Sequence, residues 1–177
     1  KPSIGDGTQS NNPWLMELPD PISRLSWDNY ITISPKDAES LGLENSLNAR
    51  MQLDGDTVNV TANGVTLKDV PVFIQPGQAD GSLGLALGYG KKDSGKVAET
   101  GVNAYPLFDG YNTVITNVKI EKSGDGHEFA GMQLQNTLMG RYEIAKEVTL
   151  DDFINKPVDE WNKPLAMHTI GGELPIG

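Results

Sequence analysis

Apolar and polar residues alternate along the middle of the chain, which is the pattern of strands with one buried face. The alternation is strict over residues 47–53 and 58–62, and it returns over 113–121. Asn63-Gly64 follows the second run and is a strong hairpin signal, which predicts a partner strand over 65–70. The central part of the chain is therefore predicted to be β-structure.

Further strand signals lie on both sides of this hairpin. Residues 30–34 are rich in β-branched and aromatic side chains, and 72–74 continue an apolar run beyond Pro71, which predicts a strand end or edge. Residues 83–87 place leucines at every second position with small residues between them, which predicts close approach of another backbone. Turns are predicted at Asp54-Gly55-Asp56, Asp80-Gly81 and Ser123-Gly124-Asp125-Gly126, the last leading into a strand over 129–134.

A short helix is predicted over residues 35–41, directly after the strand signal of residues 30–34. Ser34 is its predicted N-cap, and Gly42 is predicted to end it in a left-handed conformation. Ala38 and Leu41, which are spaced by one helical turn, are expected to face the core.

The chain divides by composition into three parts. Residues 1–12 are rich in Gly, Ser, Asn and Gln and are predicted to be a flexible linker. Residues 13–140 are predicted to be the body, a small β-barrel of six short strands that begins with a proline-rich extended arm at 13–21. Residues 141–177 are predicted to be a helical and extended tail, with a capped helix at 149–154, that docks on the barrel or on a partner.

Composition excludes several functional classes. The 177 residues include 20 glycines and 11 prolines but no cysteine, so disulfide, zinc-ribbon, thiol-nucleophile and iron–sulfur chemistry are excluded from this chain. The 24 acidic against 14 basic residues give a formal charge of −10, which argues against nucleic-acid binding. Neither a signal peptide nor a membrane-spanning apolar stretch is present, and the missing initiator Met suggests a fragment of a longer protein.

Few side chains suggest catalysis, and no catalytic or metal-binding residue is assigned. His127 is expected in an exposed turn, and His168 is expected to have a surface or packing role in the tail. Asp151-Asp152 is explained by its place at a helix N-terminus. Three tryptophans are expected to be packing anchors, although the one in the tail could instead pack on a neighbouring subunit: Trp14, Trp27 and Trp161.

An ordered set of segments resembles the C-terminal, dinucleotide-binding domain of the molybdopterin oxidoreductases. These segments are Trp14-Leu15-x-Glu17-Leu18-Pro19-Asp20-Pro21, Trp27-Asp28-Asn29-Tyr30, Ile33-Ser34-Pro35-x-Asp37-Ala38-x-x-Leu41-Gly42, Val70-Pro71-Val72, Gln75-Pro76-Gly77-Gln78-Ala79-x-Gly81, Ala86-Leu87-Gly88-Tyr89-Gly90 and Gly101-Val102-Asn103-Ala104-Tyr105-Pro106-Leu107. The resemblance implies a mainly β fold: a six-stranded double-psi β-barrel with short peripheral helices and an extended C-terminal tail.

Within that family the chain resembles the iron–sulfur-carrying, molybdopterin-oxidoreductase-like subunit of alternative complex III, a quinol-oxidising bacterial respiratory assembly. Gly140-Arg141-Tyr142-Glu143 and the following segment to Phe153 support this branch. Two positions depart from it: Glu44-Asn45-Ser46 stands where Gly-Asp is usual, and Gln133-Leu134-Gln135-Asn136 stands where the branch is often His-rich.

The resemblance implies a structural, cofactor-free domain of an electron-transfer subunit on the periplasmic side of the inner membrane. Its implied partners are the rest of the parent polypeptide and other subunits of a membrane-associated complex, without membrane insertion or nucleic-acid binding. Iron–sulfur clusters would lie elsewhere in the parent, which would be an oxidoreductase or part of one, while this segment alone is not catalytic.

A working dinucleotide-binding domain is the main alternative. In relatives that hold molybdopterin guanine dinucleotide, this domain caps the dinucleotide through backbone groups and short polar side chains. The matching positions here are Gly88, Tyr89, Gly90, Gly101, Val102 and Asn103, and the nearby cations are Lys91, Lys92 and Lys96. These positions lie in a glycine-rich loop, residues 88–103. Its glycines have two interpretations: they allow a ligand to approach the backbone, or they only make turns. A third reading is a free-standing barrel that binds a partner.

Overall fold

A computed structural model describes residues 3–50, 52–108, 110–132, 148–162, 166–169 and 172–175. The fold is mainly β with a few short helices, which confirms the predicted class. The chain forms two compact units, Lys1–Leu134 and Gln135–Gly177. None of the helices within the described ranges is long and apolar enough to cross a lipid bilayer.

Ten strands and four α-helices make up the described elements. The strands are β1 Leu25–Ser26, β2 Ile31–Ile33, β3 Asn45–Leu47, β4 Leu53–Ala62, β5 Val65–Ile74, β6 Leu83–Leu85, β7 Lys119–Glu128, β8 Ala130–Gly131, β9 Ala166–Thr169 and β10 Gly172–Pro175. The helices are α1 Pro13–Glu17, α2 Pro35–Leu41, α3 Leu150–Asn155 and α4 Val158–Trp161, and Tyr105–Leu107 form a 3₁₀ turn.

The principal sheet belongs to the first unit and has the order β3-β4-β5-β2-β6, with β7 pairing with the other side of β4. Strands β2 and β5 are parallel, and every other pair in this sheet is antiparallel. The chain connects the two parallel strands through α2, β3 and β4, a crossover of the length that parallel pairing requires. In the described part of the chain β3 and β6 do not pair with each other, so the sheet is open. In the second unit, β9 and β10 form an antiparallel hairpin.

The β4–β5 hairpin forms where the sequence predicts it. Asn63 and Gly64 both adopt positive φ, at 50° and 77°, as a tight two-residue hairpin turn requires. Beyond the turn, β5 continues through Pro71, which lies where β5 ends its pairing with β4 and begins to pair with β2. The strand end predicted at Pro71 is wrong, since β5 runs from Val65 to Ile74. The missing N–H of the proline falls where β5 changes its partner strand.

The strand predicted over residues 47–53 is wrong, because this run contains the turn between β3 and β4. The Asn48 side chain accepts hydrogen bonds from the backbone N–H groups of Arg50 and Gln52, at 2.9 and 3.0 Å, and closes that turn. The turn predicted at Asp54-Gly55-Asp56 is also wrong, since these residues lie within β4.

The region around β7 differs from its prediction in a similar way. Residues 113–118 are not in a strand, and β7 begins only at Lys119. The turn predicted at 123–126 lies inside β7, at an irregularity in its register with β4. Of the strand predicted over 129–134, Ala130–Gly131 form β8, which pairs with β1, while residues 133 and 134 lie outside the described part.

Helix α2 begins and ends where the sequence predicts, which confirms Ser34 and Gly42 as its caps. The Ser34 hydroxyl accepts the backbone N–H of Asp37 at 3.1 Å, and Gly42 has a φ of 63°. Ala38 is buried as predicted, but Leu41 is 42% exposed. The left-handed turn at Gly42 redirects the chain, so that Leu43 instead of Leu41 enters the core.

Residues 3–12 form a series of turns, which differs from the flexible linker predicted over 1–12. Ile4 is buried with Met16 and Tyr89 in a small cluster, and this burial holds the segment on the body. The arm predicted at 13–21 contains the single-turn helix α1, capped by the Asn12 side chain. Trp14 is 81% exposed, so the anchor on this helix is Met16.

Two further clusters complete the core of the first unit. The largest packs β2, β4 and β5 against α2 and the 3₁₀ turn. The other is aromatic: the rings of Tyr30, Phe73 and Phe129 meet edge to face, with centroids 5.7 to 6.4 Å apart. In the second unit, Thr149 caps α3 as predicted. The rings of Phe153 and Trp161 pack together there, with their centroids 5.3 Å apart.

Candidate functional site

Asn29 lies at the centre of the region that the resemblance singles out. Just before it, Trp27 has a φ of 66°, a conformation that bulky residues rarely adopt. The backbone N–H of Trp27 donates to the carbonyl of Met16 at 2.9 Å, which holds this bend against α1. Asp28 and Asn29 follow the bend and connect β1 to β2.

The Asn29 side chain joins the two ends of the glycine loop, residues 88–103. Its Nδ2 donates to the carbonyl oxygens of Ala86 and Val102, both at 2.9 Å. Its Oδ1 accepts the backbone N–H of Val102 at 2.8 Å. The fully buried Asn29 amide thus forms hydrogen bonds with both segments that frame the loop. These bonds bring together residues 88–90 and 101–103, the positions that the resemblance assigns to the dinucleotide.

The glycines of the loop are needed for contacts within the protein. A side chain at Gly88 would lie 2.7 Å from the backbone N of Gly7, and one at Gly90 would lie 2.5 Å from the backbone N of Asn103. A side chain at Gly101 would lie 2.7 Å from Oδ1 of Asn29. All three glycines also have positive φ. Their surroundings do not fit a dinucleotide at these points, because the protein's own chain occupies the space that the missing side chains leave.

The remaining candidate residues of the loop have different surroundings. Tyr89 is buried, at 1% exposure, and the backbone N–H of Gly90 is bonded to Thr100 at 2.9 Å. Asn103 is exposed, and its Oδ1 accepts the backbone N–H of Tyr105. Among the predicted cations, Lys91 donates to the carbonyl of Gly7 at 3.0 Å, whereas Lys92 and Lys96 are exposed.

A pocket of about 290 Å³ lies beside the Asn29 bridge. Its polar lining includes Asp20, Asp28, Tyr30 and Tyr89, and we call it the acidic pocket. The hydroxyl of Tyr30 is hydrogen-bonded to that of Ser23, but the buried hydroxyl of Tyr89 has no hydrogen-bond partner among the described residues. The pocket therefore combines two carboxylates with one buried phenol that makes no hydrogen bond within the described part of the chain.

Burial governs the ionisation of both tyrosines. It raises the pKa of Tyr30 to about 12, and the nearby Asp20 carboxylate adds to the effect. Burial also raises the pKa of Tyr89, and Tyr30, Asp28 and Asp20 raise it further. Both phenols are therefore neutral hydrogen-bonding groups near pH 7.

His127 is not in an exposed turn, and that prediction is wrong. It lies in β7 opposite Gly55, and its Nε2 is 2.9 Å from Oδ2 of Asp28. Its ring also meets Phe129 edge to face at 5.0 Å. This contact holds Oδ2 of Asp28 against strand β7. The side chain of His168 lies outside the described part.

The other acidic candidates have local roles. Asp152 is bonded to Lys156 and to the N-cap Thr149, and these hydrogen bonds lower the pKa of the Asp152 carboxyl. Within the described ranges, no group of three or more His, Cys, Asp or Glu is placed to hold a metal ion.

Asp20, Asp28, Asn29 and Tyr30 lie within the segments that carry the resemblance, but the resemblance implies no role for them. The signal available was the compact polar run Trp27-Asp28-Asn29-Tyr30 ahead of a predicted strand. No protein-family model matches the chain, and no curated protein matches it.

Proposed function

We propose that this chain is the C-terminal, dinucleotide-binding-type domain of a molybdopterin oxidoreductase-like subunit, and that it serves as a cofactor-free scaffold. Its parent is an oxidoreductase subunit of a quinol-oxidising respiratory complex of the alternative complex III type. In this proposal the fold is a double-psi β-barrel, and the domain lies on the periplasmic side of the bacterial inner membrane.

The strand arrangement supports the barrel. Strand β5 pairs first with β4 and then, beyond Pro71, runs parallel to β2. The Asn45 side chain bonds to the carbonyl of Val72 and to the N–H of Ile74, at 2.8 and 2.7 Å, and so extends the pairing of β5 toward β3. Strands that exchange partners in this way curve the sheet back toward itself.

The observation that carries the scaffold proposal is the closed packing of the glycine loop. Gly88 and Gly90 approach other backbone segments of the same chain, and Gly101 approaches the Asn29 amide. The backbone N–H groups of Gly90 and Val102 are bonded within the protein. The backbone donors and free space by which a loop cradles phosphates are therefore used for folding at these positions.

The charge of the neighbouring pocket supports the same proposal. Asp20 and Asp28 line the pocket beside Ala86 and Tyr89. Two carboxylates next to the loop repel the phosphates of a dinucleotide, and the low dielectric of a partly buried site strengthens that repulsion.

A second candidate is a functional domain that binds molybdopterin guanine dinucleotide. Asn103 is exposed and offers an amide to solvent, and Lys92 and Lys96 are exposed on the same loop. An amide and two ammonium groups are suitable partners for a polar, phosphate-containing ligand.

Equilibrium dialysis of the 177-residue chain against molybdopterin guanine dinucleotide tests the proposal. The scaffold function predicts no saturable binding up to millimolar nucleotide at moderate ionic strength. Stoichiometric binding that the double substitution K92Q/K96Q weakens at least about tenfold would instead establish the second candidate. The double substitution K36Q/K68Q is the charge-matched control, since both of these lysines are exposed and lie outside the loop.

A further inference from the structure

We propose that the acidic pocket binds a small organic cation that carries a primary ammonium group next to an oxygen acceptor. The proposal is independent of the parent protein and of the dinucleotide question. It depends on one acceptor oxygen from each of two carboxylates and on one buried phenol that, within the part of the chain that the structure describes, lacks a hydrogen-bond partner.

The carboxylates offer acceptors on the pocket side. The side chain of Asp20 accepts the backbone N–H groups of Ile22 and Ser23, and these bonds end on Oδ1. The bond between Asp28 and His127 ends on Oδ2 of Asp28. Since an ionised carboxylate has about four acceptor positions, each aspartate retains an oxygen for a ligand.

Tyr89 supplies the complementary group. Its side chain lines the pocket at 1% exposure, and its hydroxyl makes no hydrogen bond to any residue in the described ranges. Leaving such a group without a partner costs stability, and most buried hydroxyls in folded proteins have one. A neutral phenol hydroxyl can both donate and accept hydrogen bonds, and an acceptor oxygen on the ligand satisfies its O–H donor.

The charge balance selects an organic cation. Among the described residues that line the pocket there is no lysine or arginine, so its two carboxylates have no cationic neighbour within the lining. A hard metal ion requires more oxygen ligands than the pocket supplies, since Ca²⁺ takes about six to eight and Mg²⁺ about six. An ammonium needs only two or three acceptors and matches the two carboxylates.

The first experiment is an NMR titration of the 177-residue chain with 2-aminoethanol at pH 7 and constant ionic strength. Saturable shifts of the Tyr89 and Asp28 amide signals are expected. The dissociation constant should lie in the high micromolar to millimolar range, because so small a ligand makes few contacts. Ethylamine lacks the oxygen and 1,2-ethanediol lacks the charge, so each is expected to bind at least about tenfold more weakly.

The second experiment repeats the titration with variants. Tyr89→Phe removes only the hydroxyl, and Asp20→Asn removes the charge but keeps Oδ1 as an acceptor for its turn, so each is expected to weaken binding at least about tenfold. Tyr111→Phe and Asp93→Asn are matched controls at exposed positions outside the pocket, and both are expected to leave binding unchanged.

Three results would overturn the proposal. They are the absence of saturable shifts with 2-aminoethanol, equal binding of 1,2-ethanediol, and unchanged binding in folded Tyr89→Phe protein. The hydroxyl of Tyr89 has no partner in the described ranges, so its removal is not expected to lower the melting temperature, and that variant stays testable.

Discussion

At the scale of single residues, Asn29 is the side chain on which the glycine loop most depends. Asn29→Asp keeps the acceptor for the Val102 N–H but removes the donor to the carbonyls of Ala86 and Val102. Each acceptor left without its partner costs about 1–3 kcal/mol, so we expect the free energy of unfolding to fall by about 2–4 kcal/mol. Urea denaturation followed by tryptophan fluorescence measures this change.

Asn103→Asp is the control for that substitution. Asn103 lies in the same loop but is exposed, and its only described side-chain bond uses Oδ1, which aspartate retains. Its effect should stay within about 0.5 kcal/mol. Equal destabilisation by the two substitutions would contradict the role of Asn29, since it would indicate a general effect of added negative charge.

Residue roles could be predicted from sequence where they act locally. Ser34 and Gly42 act within one short helix, and Asn63-Gly64 acts within one turn, so nearby residues determine their conformation. The bonds of Asn29 cross 57 and 73 residues, and no local pattern encodes such partners. The resemblance assigns the loop glycines to a ligand contact, whereas in the structure other parts of the same chain approach them.

At the scale of elements, β4 depends on a glycine where three parts of the chain meet. A side chain at Gly55 would lie 2.5 Å from the Asn45 amide, 2.6 Å from the Phe129 ring and 2.8 Å from the carbonyl of Val72. Gly55→Ala should therefore destabilise the protein by about 1–3 kcal/mol or more through overpacking. Thermal and urea unfolding of the variant measure this cost.

Gly126→Ala is the matched control on the neighbouring strand. Gly126 lies opposite Asp56 in the β4–β7 pair, and a side chain there would meet only one atom, at 4.0 Å. Alanine should be neutral or should stabilise by up to about 1 kcal/mol, because it restricts the unfolded chain. If Gly55→Ala and Gly126→Ala changed the free energy of unfolding equally, the close contacts at Gly55 would not be what requires a glycine in β4.

The same two glycines show why the strand boundaries were mispredicted. Glycine beside aspartate is typical of turns, so residues 54–56 and 123–126 were predicted to reverse the chain. In the structure both runs lie inside strands. Residues 54–56 of β4 pair with residues 126–128 of β7, and residues 123–125 fall at the register irregularity between the two strands. Sequence periodicity specifies which side chains are buried, but it does not distinguish a bulge from a turn.

At the scale of the whole molecule, the first unit is held together by segments that are distant in sequence. Residues 3–12 pack through Ile4 against Tyr89, and β8 returns from β7 to pair with β1. Tyr30 belongs to the aromatic cluster, and Tyr89 belongs to the cluster that it forms with Ile4 and Met16. Both tyrosines nevertheless line the acidic pocket. One of these phenols is buried and the other is partly buried, and each packs in a different core cluster.

This arrangement predicts a specific alkaline sensitivity. The pKa of Tyr30 rises from 10.0 to about 12 on folding, so the folded state retains a proton that the unfolded state releases between these values. The stabilisation is complete below pH 10 and is lost as the pH rises toward 12. Tyr89 acts in the same direction, since burial raises its pKa as well.

Melting temperatures measured from pH 8 to pH 12 test this expectation. The wild-type curve should fall more steeply above pH 10 than the curve of Tyr30→Phe, because phenylalanine has no proton to lose. Lysine deprotonation lowers both curves alike, so the difference between them isolates the phenol. Tyr111→Phe, a substitution at a side chain that is 98% exposed, should follow the wild type. Parallel curves for wild type and Tyr30→Phe would show that the phenol titrates equally in the folded and unfolded chains, and the buried environment assigned to it would then be wrong.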